Sequence, residues 1–474
     1  SINKNIPSIY STMKIFALFV CFLLGLVSAS SFRPPIILGN EVLRKGGYQP
    51  LLGLRTAILT NPTGVFMDNM NLIVDEMAQD ERVNVVAVLS PEHGFRGDKQ
   101  AETGDPLFYI DKPTGLPVFS AYNMTTQQLG VVLKDMNVEA VVVDMQDVGV
   151  RLYTFVWTMY EVMDAVSILH QTNSSSNIKI VITDRPNPLG GELVDGPLIN
   201  MTCCSSGYGR LPIPFLHGMT IGELGLLFND ALGIPAENVE VIKAQNWERW
   251  MVWSSLQEAP AVFPPWIPPS PNLPTVMSAH TYGAIVFLEA TTAAEGRGTT
   301  TPFTMFGAPF LDAEDFAGKL NGIFSCVPPA DATTTPTTTT AESAKCPGNG
   351  FRAAYFQPTW SKYNGTVVPG AEWFPWRTVS AHYPSNVTTT TTDTASSSPF
   401  AAGVQVLCAI RDLAVPSDAF QWDGSWFGHP GTELIDFYAG TPTFREMVDA
   451  GASAVEIIEH FQADVMLFRE RRKQ

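Results

Sequence analysis

Carboxylates, arginines and amides are concentrated in a few short loops of this chain, each following an apolar run. The run at Arg55 leads into TNPTG, the one ending at Ser90 into PEHGFRGD, and the one ending at Asp144 into MQDVGVRLYT. The run ending at Thr183 leads into DRPNPLGG, and the one ending at Glu289 into TTAAEGRGTTTPF. These loops hold Glu92, His93, Arg96, Asp98, Asp144, Gln146, Asp147, Arg151, Tyr153, Asp184, Arg185, Asn187, Glu295 and Arg297. Singly, each has a plainer role: Asp and Asn cap helices or close turns, and Arg satisfies a buried carboxylate. Together they imply a site, because desolvating many charges costs several kcal/mol each unless they are paired or used. Paired carboxylates suit glycosidic bonds, whose hydrolysis needs a protonated acid at the leaving oxygen and a second group at the anomeric carbon. Glu92 and Glu295 form the first pair, each in a Gly-containing loop that lets backbone approach a ligand; His93 is an alternative proton donor.

Rival chemistries leave weaker traces. A dinucleotide site calls for Gly-x-Gly-x-x-Gly after the first strand, where this chain has Asn61-Pro62-Thr63-Gly64. A zinc site calls for paired His or Cys, and the 7 His are scattered singly. The Gly-x-Ser-x-Gly of a serine hydrolase is missing. A carboxylate-bound metal on Asp144, Asp147, Asp184 and His217 is a minor alternative, and no cofactor is expected.

The elements that must position these loops follow from periodicity. Short apolar runs alternate with amphipathic ones from residue 55 onward, the pattern of a doubly wound α/β domain with a mostly parallel sheet. Strands are expected at Arg55–Thr60, Val83–Ser90, Leu116–Ser120, Glu139–Asp144, Ile178–Thr183 and Val239–Lys243. Helices are expected at Leu72–Gln79, Thr125–Met136, Phe155–His170 and Thr220–Leu232, where Thr220 and Glu223 make a capping box. In such sheets ligands bind beyond the carboxyl ends of the strands, where these loops lie. The Rossmann-like domain is assigned to 32–265. A Pro-rich connector, PPWIPPSPNLPT, opens a smaller α/β domain at 266–474, with strands near Ala284–Glu289, Phe351–Phe356 and Gly403–Ile410 and a helical end from Thr443. Thr/Ser-rich inserts near 331–345 and 387–398 read as surface loops.

The 474 residues are 45 % hydrophobic and 16 % charged, the composition of a folded globular protein. With 29 Lys plus Arg against 46 Asp plus Glu, the formal charge of -17 argues against nucleic acid as a partner. Met13-Lys14, the apolar run Ile15–Val27 and the small residues Val27-Ser28-Ala29 read as a secretory signal within a leader spanning 1–31. That run is too short for a bilayer of roughly 30 Å, which needs about 20 residues, so no membrane span is expected in the mature chain. Location is therefore expected to be secreted, or the lysosomal or phagosomal lumen. Asn-x-Ser/Thr acceptors at Asn123, Asn173, Asn200, Asn364 and Asn386 agree with a glycosylated eukaryotic secretory protein. Of the 6 cysteines, removal of Cys21 with the signal leaves an odd number. Cys326 and Cys346 are expected to clip the base of the first insert, while Cys203 and Cys204 seek partners, with Cys408 a candidate.

Taken in order, LTNPTG, SPEHGFRGD, TGLPVFS, DMQDVGVRLYTF, DRPNPLGG, DGP, IPFLHGMTIGEL, PPSPNLPT, EGRGTTTPF and FGAPF resemble the NamZ-type exo-β-N-acetylmuramidases, from about Ile36 to the end. The resemblance implies an interdomain active cleft and release of non-reducing terminal N-acetylmuramic acid from peptidoglycan fragments, so muramyl saccharides are the expected partners. It implies Glu92 as the catalytic glutamate, with Glu295 as its natural partner. Muramic acid carries a lactyl carboxylate, and one of Arg96, Arg151, Arg185 and Arg297 is expected to hold it with paired bonds. Tyr153 or Trp266 can supply an apolar platform for the sugar. His217 and Asn272, within the matching motifs, complete the expected binding set. A non-catalytic muramyl-sugar binding protein and a metal-dependent phosphoesterase are the alternative functions. The chain departs from the family in its Thr-rich inserts, in Thr202-Cys203-Cys204, and in stopping at Arg472-Lys473-Gln474 where an aromatic-rich tail is usual, which implies that a few residues are missing.

Overall fold

The computed structural model describes residues 34–100, 106–172, 177–253, 262–324, 349–375 and 398–472. The leader, the first Thr-rich insert, the second up to residue 397, Cys326, Cys346, Asn173 and Asn386 lie outside these residues.

A seven-stranded sheet organises the first half. Its strands are β1 (Arg55–Thr60), β2 (Asn84–Ser90), β3 (Phe108–Ile110), β4 (Pro117–Ser120), β5 (Ala140–Asp144), β6 (Lys179–Thr183) and, after two strands of another ribbon, β9 (Val239–Ile242). β7 (Asp195–Leu198) and β8 (Pro214–Leu216) form that two-stranded antiparallel ribbon. The sheet order is β3-β4-β2-β1-β5-β6-β9, parallel throughout except for the β3 edge. Without that edge the order is that of a Rossmann fold. Each of the six strands expected in this half forms within a residue of the span read from the sequence. Alternation explains the two-sided packing. Ala57, Leu59, Val141 and Val143 enter the core on one face, and Ile58, Ala140 and Val142 the core on the other.

The helices Thr126–Asp135 and Ile221–Leu232 both begin at capping boxes, Thr125 with Gln128 and Thr220 with Glu223. In the second half, β10 (Met305–Gly307), β11 (Asn349–Phe356) and β12 (Val368–Pro375) make an antiparallel sheet in the order β10-β12-β11. Two expected strands are helical instead. Ala284–Glu289 spans the end of the helix Val276–Ile285 and a 3₁₀ turn, and Gly403–Ile410 lies inside the helix Pro399–Leu413. These helices pack on each other and are buried on nearly every side, so their apolar residues show no period that separates helix from strand. Ser398 settles the second case, accepting from the Ala401 amide as N-cap with Pro399 at the first helical position. One contiguous core, including Val143, Phe215, Phe287, Phe400 and Phe444, runs through both halves.

Candidate active site

The turn after β2 presents Glu92. His93 and Gly94 both take left-handed backbone, φ 71° and 73°, and Gly94 N–H closes the turn onto Pro91 O at 3.2 Å. Two successive left-handed residues are uncommon, and glycine makes the second one cheap. His93 is buried, its Nδ1 3.1 Å from Lys99 O and its ring edge-on to Phe155. Half-buried Glu92 accepts at Oε2 from Thr154 Oγ1, 2.7 Å away. Thr154 directly precedes the helix Phe155–Thr172, so the partial positive charge of that helix N-terminus lies beside this carboxylate.

Glu92 opens onto a cavity of about 430 Å³ lined from both halves of the chain. Glu92, His93, Leu152, Tyr153 and Thr154 line it from the sheet half, and Ser270, Asn272 and Leu273 from the Pro-rich connector. Tyr282, Glu289, Arg297, Phe303, Trp426, Phe427, His429 and Tyr438 line it from the second half. Glu289 accepts from Arg297 Nη2 and from Tyr438 Oη, each at 2.5 Å. Arg297 also stands 3.3 Å from Glu295, and Lys362 Nζ lies 3.9 Å from the same carboxyl. Burial works against the Arg297 charge, but Glu289 and Glu295 more than offset it and hold the guanidinium above its ordinary range. Burial pushes the Glu295 carboxyl up and the Lys362 ammonium down. Burial also raises Tyr153, Tyr282 and Tyr438 well above the ordinary phenol value, so the cavity presents neutral O–H groups at pH 7.

The residues singled out from the sequence therefore divide. Glu92, His93, Tyr153, Asn272 and Arg297 line the cavity. Glu295 does not; it lies 1 % exposed behind Arg297, and Glu289 occupies the wall. Arg96 is taken by Asp75 and Asp111 at 2.7 and 2.8 Å. Arg185 and Asp144 pair at 2.7 Å in full burial, and Asn40 and Thr183 bond the same carboxylate. Asp184 caps the helix Ile221–Leu232 through Gly222 N–H at 2.8 Å, and Asn187 bonds Leu189 N–H and Met219 O. His217 accepts from Met219 N–H at Nδ1 and faces Asp147 with Nε2 at 3.2 Å. Arg151 is buried against the carbonyls of Tyr208 and Tyr438. The crevice between β1 and β5, where the strand order reverses, is thus filled by side chains of the chain itself, and the cavity is displaced toward the end of β2. Asp144 and Asp184 have separate partners, Asp147 and His217 face each other, and no three such residues are grouped as metal ligands among the described residues. Trp266 packs edge-on against Trp253 and donates to Leu273 O, away from the cavity lining. Cys203, Cys204 and Cys408 are free thiols, so Cys408 partners neither of the others.

Glu289, Tyr282 and Tyr438 were not legible as site residues. The lone acid closing AIVFLEA was the one available signal, since an apolar run seldom carries a charge without a partner.

A half-buried carboxylate sharing one cavity with a second carboxylate clamped by arginine and tyrosine, within aromatic walls between two α/β halves, is the equipment of a glycoside hydrolase. Residues 56–277 match the family described as exo-beta-N-acetylmuramidase NamZ, N-terminal, and residues 280–474 match its C-terminal counterpart. The chain belongs to the NamZ exo-β-N-acetylmuramidase family. It is 33 % identical over 443 residues to the peptidoglycan beta-N-acetylmuramidase NamZ of Bacillus subtilis strain 168, covering 93 % of this chain and 91 % of that one. It is also similar to two crystal structures of DUF1343 family proteins from Bacteroides fragilis NCTC 9343. The first has TM-score 0.70 and 28 % identity, covering 93 % of this chain and 98 % of that one. The second has TM-score 0.60 and 26 % identity, covering 92 % and 97 %.

Proposed function

We propose that this chain is an exo-acting hydrolase that releases non-reducing terminal N-acetylmuramic acid from peptidoglycan fragments, with Glu92 as its acid/base group. The observation that carries the reading is Glu92, held by Thr154 at the edge of an aromatic cavity that the Glu289–Arg297 pair also lines. A volume of about 430 Å³ lies in the range of single small-ligand sites, which suits removal of one terminal unit. Tyr153 and Trp426 supply apolar faces for the sugar ring.

Arg297 is the residue assigned to the lactyl carboxylate. Of the four arginines first considered it is the one in the cavity wall; its Nε and Nη2 engage Glu289, and Nη1 stands outside those bonds. A charge-assisted bond contributes about 1.5 to 3 kcal/mol, or roughly ten to over a hundred-fold in selectivity. The test compares chromogenic N-acetylmuramide with the matching N-acetylglucosaminide. The muramide is expected to be cleaved better by that factor, and equal rates would overturn the assignment. Binding of the muramide without turnover would favour a saccharide-binding protein instead.

The location proposed is secreted or luminal. Among the acceptor asparagines, Asn123, Asn200 and Asn364 are exposed, as glycosylation requires. No described helix is long and apolar enough to cross a membrane.

A further inference from the structure

The loop between β7 and β8 carries two adjacent thiols close to the cavity wall. Cys203 and Cys204 N–H both donate to Asn200 O, at 3.3 and 3.0 Å, and Thr202 N–H donates to Asn200 Oδ1 at 3.0 Å. Cys203 is exposed, Cys204 is buried, and their Sγ atoms are 2.6 Å apart. The turn is tied to the cavity on both sides. Asn200 N–H donates to Gly440 O at 2.7 Å, just beyond wall residue Tyr438. Four residues after Cys204, Tyr208 also lines the cavity, and the Arg151 guanidinium bridges the carbonyls of Tyr208 and Tyr438 at 3.0 and 2.9 Å.

We propose that Cys203 and Cys204 are a two-electron redox site that closes to a vicinal disulfide by exchange with a small disulfide and thereby shifts the aromatic wall through Tyr208. In the first step the exposed Cys203 thiolate attacks one sulfur of RSSR and releases RS⁻. Cys204 then loses its proton and attacks Cys203 Sγ, releasing the second RS⁻. The net change is two protein thiols plus RSSR to one protein disulfide plus two RSH, so the protein is oxidised and the small disulfide reduced. Burial, with the neighbouring sulfur, pushes the Cys204 thiol up to about 12, which makes Cys203 the attacking group. Consecutive Cα atoms lie about 3.8 Å apart, below the roughly 4.4 to 6.8 Å usual for a disulfide. The closed form is therefore strained and readily reduced, the property of a reversible site rather than a staple. Closing the ring also constrains the Cys203–Cys204 peptide, whose N–H helps hold the turn through Asn200 O, and the displacement passes to Tyr208.

The chemistry stands independently of the glycosidase reading; only the functional readout rests on it. The full chain is treated with glutathione disulfide, remaining thiols are blocked with N-ethylmaleimide, and the peptide containing Cys203 and Cys204 is mapped by mass. The expected peptide lacks two hydrogens and the maleimide, regains two blockable thiols after dithiothreitol, and does not form in Cys203→Ser or Cys204→Ser. A glutathione adduct that persists on Cys203, or two alkylated thiols, would overturn the redox site. Oxidation is expected to change KM for the muramide severalfold with kcat little altered, and to leave Cys203→Ser unchanged. An internal disulfide with unchanged KM would overturn the coupling to the wall. A reduced protein with no muramidase activity would count against the glycosidase reading, while the peptide map still decides the redox site.

Discussion

Glu92 and Asp144 are both acids at the ends of parallel strands, and their surroundings give them opposite uses. Glu92 is half-buried with one hydroxyl partner and borders the cavity, whereas Asp144 has no exposed surface and four partners, counting the Thr60–Asp144 backbone bond. A positioned acid or base contributes about 10² to 10⁴ in rate, so Glu92→Gln should lower kcat by at least the smaller factor while the thermal midpoint stays put. Wild-type turnover in that variant would remove Glu92 from the mechanism. Arg185→Met leaves the Asp144 carboxylate buried without its cation, a change that typically costs about 3 to 5 kcal/mol. Urea unfolding should show that loss, and the folded fraction should retain muramidase activity because neither residue reaches the cavity. Tyr438→Phe removes the phenol bonded to Glu289. An unmade buried bond of this kind costs about 1 to 3 kcal/mol, and both stability and KM should suffer.

Among the elements, the contact between the helices Val276–Ile285 and Pro399–Leu413 carries the clearest constraint, since it packs two buried helices of the second half backbone to backbone. A Cβ at Gly403 would sit 2.5 Å from Ala284 O and 3.0 Å from Ala284 Cα, so the two backbones touch where only hydrogen fits. In an open helix Gly to Ala is a gain of about 1 kcal/mol. Here overpacking, at about 1 to 3 kcal/mol, wins, and Gly403→Ala should lower the denaturation midpoint. A stabilised variant would show that the helices can separate freely. The same closeness explains why the sequence misleads at this point: Ala284–Glu289 and Gly403–Ile410 are surrounded by protein, and full burial erases the period that distinguishes helix from strand.

For the molecule as a whole, His280 links stability to pH. It sits on the helix Val276–Ile285, and its buried ring lies against the backbone of Trp253 and Pro188 in the sheet half. Burial pushes its pKa from 6.5 down to about 4. Between those values the unfolded chain holds a proton that the folded chain does not, so stability is complete above pH 6.5 and is lost as pH falls toward 4. The full contribution is on the order of 3 kcal/mol. Asp195, raised by burial, acts in the opposite sense, so the informative quantity is the difference between slopes. Unfolding free energies measured across this range should fall less steeply in His280→Asn than in wild type; parallel curves would exclude His280.

What the sequence determined by itself was whatever depends on near neighbours. The six main strands follow from apolar runs bounded by turns, one helix start from the Thr220–Glu223 capping box, and the prominence of Glu92 from its place in a Gly-containing turn after β2. What only the tertiary structure decided was which charges remain free for chemistry. Arg96 finds Asp75 and Asp111, Arg185 finds Asp144, and Glu295 is shielded by Arg297, while Glu289 reaches the wall because Tyr438, 149 positions away, meets it there. A buried charge takes the partner that packing brings within hydrogen-bond reach. That partner is set by how the two halves close on each other, and no local pattern in the chain records it.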